Sequence, residues 1–185
     1  MIENQNPSED PSQTFLAKAG PQKMVDITFH IKTKKWEKLK DIKALTREVI
    51  ELTLLSLKLD SLNLELSIIL AHDSFIQKYN LRYRGKDKPT NVLSFSAVDQ
   101  PFKLKKGDNL GDIMIAFETI EKEAKEQDKS FKDHYIHIVI HGMLHLIGYD
   151  HQNKKEAEEM EAIEIQVLKK LGIQNPYDSP SRVKI

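Results

Sequence analysis

Hydrophobic and polar residues change their spacing several times along this chain, and each change marks an element. Val25, Ile27, Phe29 and Ile31 alternate with polar neighbours, the two-residue period of a strand buried on one face. From Trp36 to Leu59 the apolar positions Leu39, Ile42, Leu45, Val49, Leu52 and Leu55 recur at helical spacing, which predicts a helix. Alternation returns over Leu62, Leu64, Leu66, Ile68 and Leu70. His72, Asp73 and Ser74 then read as a helix start, with Asp73 or Ser74 as the cap and an end near Arg82.

The second half carries shorter elements. YRGKDKPTN, residues 83–91, is a polar loop broken by Gly85 and Pro89. Short strands are expected at Val92–Phe95 and Leu110–Ile115, with the loop DQPFKLKKGDN between them. Phe117–Gln127 reads as a helix. Ser130 suits the cap of the next one, which meets no glycine or proline from 131 until Gly142 and stops at Gly148. A last helix runs from Lys154 to Leu171, with Met160, Ile163, Val167 and Leu171 on one side and Gly172 at its end. The expected fold is α+β, a small mixed sheet packed with helices. Residues 1–22 hold three prolines and few large apolar groups, so a disordered tail is expected there. Residues 23–177 then form a single domain, and 178–185 a loose C-terminal tail.

Composition narrows the function. A chain of 185 residues buries a core without metal or disulfide staples, so a metal, if bound, is free to do chemistry. The 28 basic and 28 acidic side chains cancel, which removes a whole-molecule field for nucleic acid and leaves local patches. Two loops supply them: Arg82, Arg84, Lys86 and Lys88 in RYRGKDKP, and Lys103, Lys105 and Lys106 nearby. They either guide a phosphate backbone or are simply solvated, and KTKKWEKLK at 32–40 is read as solvated. Tyr79, Tyr83 and Phe102 either stack on bases or pack locally. The absence of cysteine excludes disulfides and thiolate zinc sites and is compatible with a reducing cytoplasm. The start MIENQNPSEDPSQTF lacks a signal peptide's charged and apolar regions, and no run approaches the roughly 18 apolar residues of a membrane span. A soluble, cytoplasmic protein is expected.

The chemistry concentrates in HGMLHLIGYDH, residues 141–151. His141 and His145, four apart, share a helix face. Gly148 permits a left-handed turn, which returns His151 to the same place. Three imidazoles leave a fourth position open, the pattern of a catalytic zinc; nickel, copper or iron suit the same donors. Zinc peptidases of the H-E-x-x-H-x-x-G-x-x-H type use this spacing, so the helix is zincin-like. Gly142 occupies the place of their glutamate base, which argues against peptide hydrolysis. Asp150 is either a substitute base or a turn residue capping the loop before His151. His137, one turn before His141, is either a partner behind the metal or a hydrogen-bonded core histidine. His134 is expected in solvent, and His30 and His72 are read as structural or surface residues.

Together these segments resemble the YbeY family of bacterial rRNA-maturation metalloproteins. The resemblance rests on HGMLHLIGYDH, on YRGKDKPTNVLSF at 83–95, on LGDIMIA at 110–116 and on EAEEMEAIEIQVLKKLGIQNPY. It spans about residues 24–177, and Asn91 stands where many members carry aspartate. It implies an endoribonuclease of single-stranded RNA that processes the 3′ end of 16S rRNA and acts in ribosome quality control, with the small ribosomal subunit and its proteins as partners. It implies a zinc ion held by His141, His145 and His151, and an essential arginine at Arg84. With Asp150 added as the substitute base read from its place beside His151, the expected catalytic set is Arg84, His141 and Asp150. Water or the RNA 2′-hydroxyl can attack, the latter leaving a cyclic phosphate. A metal-dependent hydrolase of another substrate and a non-catalytic ribosome assembly factor are the competing readings.

Overall fold

The computed structural model describes residues 24–100 and 102–178. Four strands form one sheet in the order β1-β2-β4-β3. They are β1 (Val25–Ile31), β2 (Leu64–Ala71), β3 (Val92–Ser96) and β4 (Asn109–Ala116). β1, β2 and β4 run parallel, and β3 returns antiparallel along the outer edge of β4. The mixed sheet and its helices give the α+β fold expected.

Five helices accompany the sheet: α1 (Ile42–Ser56), α2 (Asp73–Arg84), α3 (Phe117–Glu126), α4 (Phe131–Ile147) and α5 (Lys154–Lys170). Successive strand residues face opposite sides, and the core divides accordingly. Leu66, Ile68, Leu70, Ile113 and Ile115 join the main core with apolar residues of α1, α4 and α5. Ile69, Ala71, Leu93, Met114 and Ala116 face the other way and pack with Ile76, Phe75 and Tyr79 of α2. α4 is the central helix: from His134 to Ile147 every residue except His145 is buried.

Several boundaries differ from the periodicity. The single helix expected over 36–59 is a short 3-10 turn, Lys34–Lys38, followed by α1. Trp36 separates the two. It is buried, and its indole N–H donates to the Ala71 carbonyl at 3.0 Å. Its ring meets Phe117 edge-on. Asp41 then takes a left-handed φ of 50° to begin α1 in a new direction. β2 begins at Leu64 rather than Leu62, because Asp60–Leu62 form another 3-10 turn and Asn63 is left-handed.

α2 extends to Arg84, and its expected cap at Asp73 or Ser74 is replaced by a long-range exchange. His72 occupies the cap position without capping by its side chain. Glu118 of α3 accepts the Asp73 N–H at 2.9 Å, while Asp73 accepts the N–H and hydroxyl of Thr119 at 3.0 and 2.8 Å. Each helix thus caps the other, and Lys35 adds a 2.7 Å ion pair to Glu118. Burial works against ionising Glu118, but Lys35 and the Asp73 amide outweigh it and hold the carboxyl below its ordinary 4.5. A lowered carboxyl stabilises the fold above its unfolded value and loses that contribution as pH falls. Acid titration of the urea midpoint should therefore drop below pH 4.5 in the parent, and Glu118→Gln should blunt that drop. Parallel curves for the two proteins would sink this assignment.

Ser130 caps α4 as expected, accepting the Asp133 N–H at 3.0 Å. Gly148 ends it with φ 111°. The expected disordered tail, residues 1–22, lies outside the described residues, as does the C-terminal tail beyond Asp178. Among the described residues no helix is long and apolar enough to cross a membrane.

Candidate metal centre

α4 carries His141 and His145 on one face, one turn apart. Their Nε2 atoms stand 3.1 Å apart. The Gly148 N–H closes the helix on the Leu144 carbonyl at 3.1 Å, and the following turn returns His151. One nitrogen from each imidazole then lies within 4.8 Å of the others. The three residues expected as ligands are therefore brought together.

The donors suit a cation. His141 Nδ1 lies 2.8 Å from Glu164 Oε1. A carboxylate only accepts, so Nδ1 carries the hydrogen and Nε2 presents a lone pair toward His145. Burial, together with His141 and His151, lowers the His145 imidazole from 6.5 to about 4, so it is neutral at neutral pH, as a ligand must be. With its hydrogen on Nε2, His145 donates to His141; with it on Nδ1, both Nε2 lone pairs are open to a cation. Nitrogens bound to tetrahedral zinc stand roughly 3.3 Å apart, close to the spacing of His141 and His145.

Glu164 was not singled out by sequence, yet it organises the site. It comes from α5, is fully buried, and also lies 3.1 Å from His137 Nε2. The Tyr177 hydroxyl donates to the same oxygen, Oε2. Burial alone would raise its pKa, but hydrogen bonds from His137 and His141 hold it far below the ordinary carboxylate range. The two roles left open for His137 thus merge: it is a buried core histidine that helps fix the carboxylate behind His141. A signal existed. Glu164 stands four after Met160 and three before Val167, on the apolar stripe of its helix, where an unpaired glutamate does not belong.

His134 corrects another expectation. It is fully buried, not solvated, because Glu123 of α3 lies 2.8 Å from its Nε2. Asn91 donates to that same carboxylate at 3.1 and 3.2 Å.

Gly142 faces away from the triad. A Cβ there would meet Ile113 Cγ2 at 2.9 Å, Ser94 Oγ at 3.2 Å and Val92 Cγ2 at 3.3 Å. The Ser94 hydroxyl donates to the Gly142 carbonyl at 3.0 Å, and Ser96 does the same to Leu146. This position is the seam between α4 and the sheet, with no room for a base.

Asp150 is held by its turn. Its carboxylate accepts the His151 N–H at 2.8 Å and the Gln152 side-chain amide at 2.6 Å, and lies 4.0 Å from His145 Nδ1. Burial pushes its pKa up, but these contacts prevail and leave it lowered. That favours the turn role over the base. Arg84 is exposed at the end of α2 and makes no contact with the triad. Its neighbour Tyr83 meets Phe95 of β3 at 5.0 Å, while Ser94 and Ser96 of the same strand bond α4. Tyr83 and the α4 helix thus meet alternate residues of β3. Tyr79 is half-buried against α2's core, whereas Tyr83 and Phe102 remain exposed.

A mixed sheet crossed by a buried helix with three convergent imidazoles defines a small α+β protein with a histidine cluster that could hold a metal ion. The family described as endoribonuclease YbeY matches residues 26–172. An endoribonuclease YbeY of Bradyrhizobium diazoefficiens is 45% identical over 145 residues, covering 77% of this chain and 79% of that protein. The one from Bartonella bacilliformis is 42% identical over 158 residues, covering 83% and 98%. That of Rhizobium etli is 52% identical over 114 residues, covering 62% and 67%. A Thermotoga maritima solution structure is a looser likeness, with a TM-score of 0.49 and 24% identity over 87% of this chain and 100% of its own. The chain belongs to the YbeY endoribonuclease family.

Proposed function

We propose that this chain is a metal-dependent endoribonuclease of single-stranded RNA. Its substrate is ribosomal RNA, notably the 3′ end of 16S rRNA, and it serves maturation and quality control of the small ribosomal subunit in the cytoplasm. The cation is zinc, held by His141, His145 and His151. Bound there, zinc supplies a Lewis acid that polarises a phosphate oxygen and eases ionisation of water.

The protein's own groups do the rest. Glu164 fixes the His141 tautomer and keeps its Nε2 free for the cation. Asp150 shapes the turn that presents His151. Arg84 grips the phosphate, where a guanidinium can engage two oxygens at once and offset developing charge. Lys86 and Lys88 on the same loop steer the backbone. The carrying observation is the convergence of the three imidazoles within 4.8 Å, beside a helix position too crowded for a peptidase base.

The test is cleavage of an end-labelled single-stranded RNA. The native protein should cut, a chelator should stop it, and added zinc should restore it. His145→Ala, prepared identically, controls for contaminating nucleases and should leave the RNA whole. Equal cutting by both proteins, or cutting that ignores the chelator, overturns the reading.

A further inference from the structure

Residues 102–108, ahead of β4, are held by backbone hydrogen bonds. The Phe102 N–H donates to the Ile147 carbonyl at 3.2 Å, and the Gly107 N–H to Leu62 at 2.8 Å. Leu104 packs on the main core, and Asp108 accepts the Lys105 N–H at 2.7 Å. Within residues 102–108 Phe102 is an anomaly. The residue is 61% exposed, against the tendency of a phenylalanine to bury. Its φ of 65° is left-handed, a conformation that costs a bulky residue energy and collects at functional sites.

Local packing does not account for it. Among the described residues its one aromatic neighbour is Tyr149, met at 5.0 Å and 87°. An edge-to-face contact leaves at least one face of each ring free. Tyr149 lies between Gly148 and Asp150, on the turn that presents His151, so the ring is braced against the site itself. Lys103, Lys105 and Lys106 are exposed beside it and pair with no carboxylate among the described residues. An open aromatic face among free lysines is the recognition surface that single-stranded nucleic acid uses.

We propose that Phe102 is a base-stacking platform beside the metal centre, binding an unpaired base close to the scissile phosphate. This rests on the endoribonuclease reading and adds a reason for single-strand preference. A base inside a duplex is already stacked on its neighbours and cannot lie on the ring. Phe102 binds substrate and has no part in proton transfer or cation binding.

The test compares Phe102→Ala, Phe102→Leu and Phe102→Trp on one single-stranded RNA. Loss of one stacking contact should raise KM by about tenfold, with kcat little changed. Leucine keeps apolar bulk without a π face, so it should behave like alanine. Tryptophan should preserve KM. In Phe102→Trp, single-stranded RNA should quench the added indole emission and duplex RNA of the same sequence should not; the native Trp36 is 1% exposed, so its emission is a constant background shielded from RNA. Parent-like KM for the leucine variant, or emission blind to an RNA the protein cuts, overturns the proposal and leaves the nuclease reading standing. If the parent protein cuts no RNA, both fall together.

Discussion

Replacing Gly142 with glutamate should leave no folded protein, rather than convert the chain into a peptidase. The substitution restores the letters of the zinc-peptidase motif but not its geometry. A Cβ at this position already comes within 2.9 Å of Ile113 Cγ2. Overpacking of that kind costs about 1–3 kcal/mol. The carboxylate beyond it would enter the main core among Val92, Ile113 and the body of α4, with no cation to meet it. An unpaired buried charge adds several kcal/mol more. The sum approaches the roughly 5–15 kcal/mol that holds a typical domain together. Gly142→Ala separates the two costs. It should fold and lose about 2 kcal/mol, lowering Tm by roughly 4–8 °C. Circular dichroism melts of both variants check this. A well-folded Gly142→Glu with parental Tm would show that α4 shifts freely on the sheet, contrary to the seam described.

Glu164→Gln should damage both the fold and cation binding. The carboxylate accepts from His141, His137 and Tyr177. Glutamine has nearly the same shape but replaces one acceptor with a donor. If its NH2 faces His141 Nδ1, two N–H groups oppose, and the imidazole must move its hydrogen to Nε2, where the cation binds. If it faces His137 and Tyr177, those donors lose their partner. Disrupting a buried ionic cluster costs about 3–5 kcal/mol, or roughly 6–20 °C in Tm. Loss of the partner behind a metal-bound histidine weakens binding about 10–100-fold. Competition titration with a zinc indicator reads the second effect, and melts of chelator-treated protein read the first alone. Zinc affinity equal to the parent's would remove Glu164 from any role in the site.

The sequence made the strands and the triad legible for the same reason: their signals are local. Alternation in Leu64–Ala71 needs only neighbouring residues, and His141, His145 and His151 fall within one helix end and one turn. What escaped depends on partners distant along the chain. The break after Trp36 exists because its indole reaches Ala71. The caps of α2 and α3 are exchanged between Asp73 and Glu118, 45 residues apart. His134 looked like a surface residue until α3 laid Glu123 against it. Gly142 read as a missing base, because periodicity does not say what a helix face touches. Glu164 left a trace as an acid on an apolar stripe, but its three donors come from two other segments.

The three ligands rest on supports of unequal stiffness. His141 belongs to the most buried helix of the molecule and is clamped by Glu164, with His145 one turn further along. His151 is exposed, on a short turn tied down by the small hydrogen bonds of Asp150. An ion held by the three histidines would therefore owe its third ligand to this turn, while α4 fixes the other two. Exchange of an ion held there would follow the lifetime of that turn more than the stability of the whole domain.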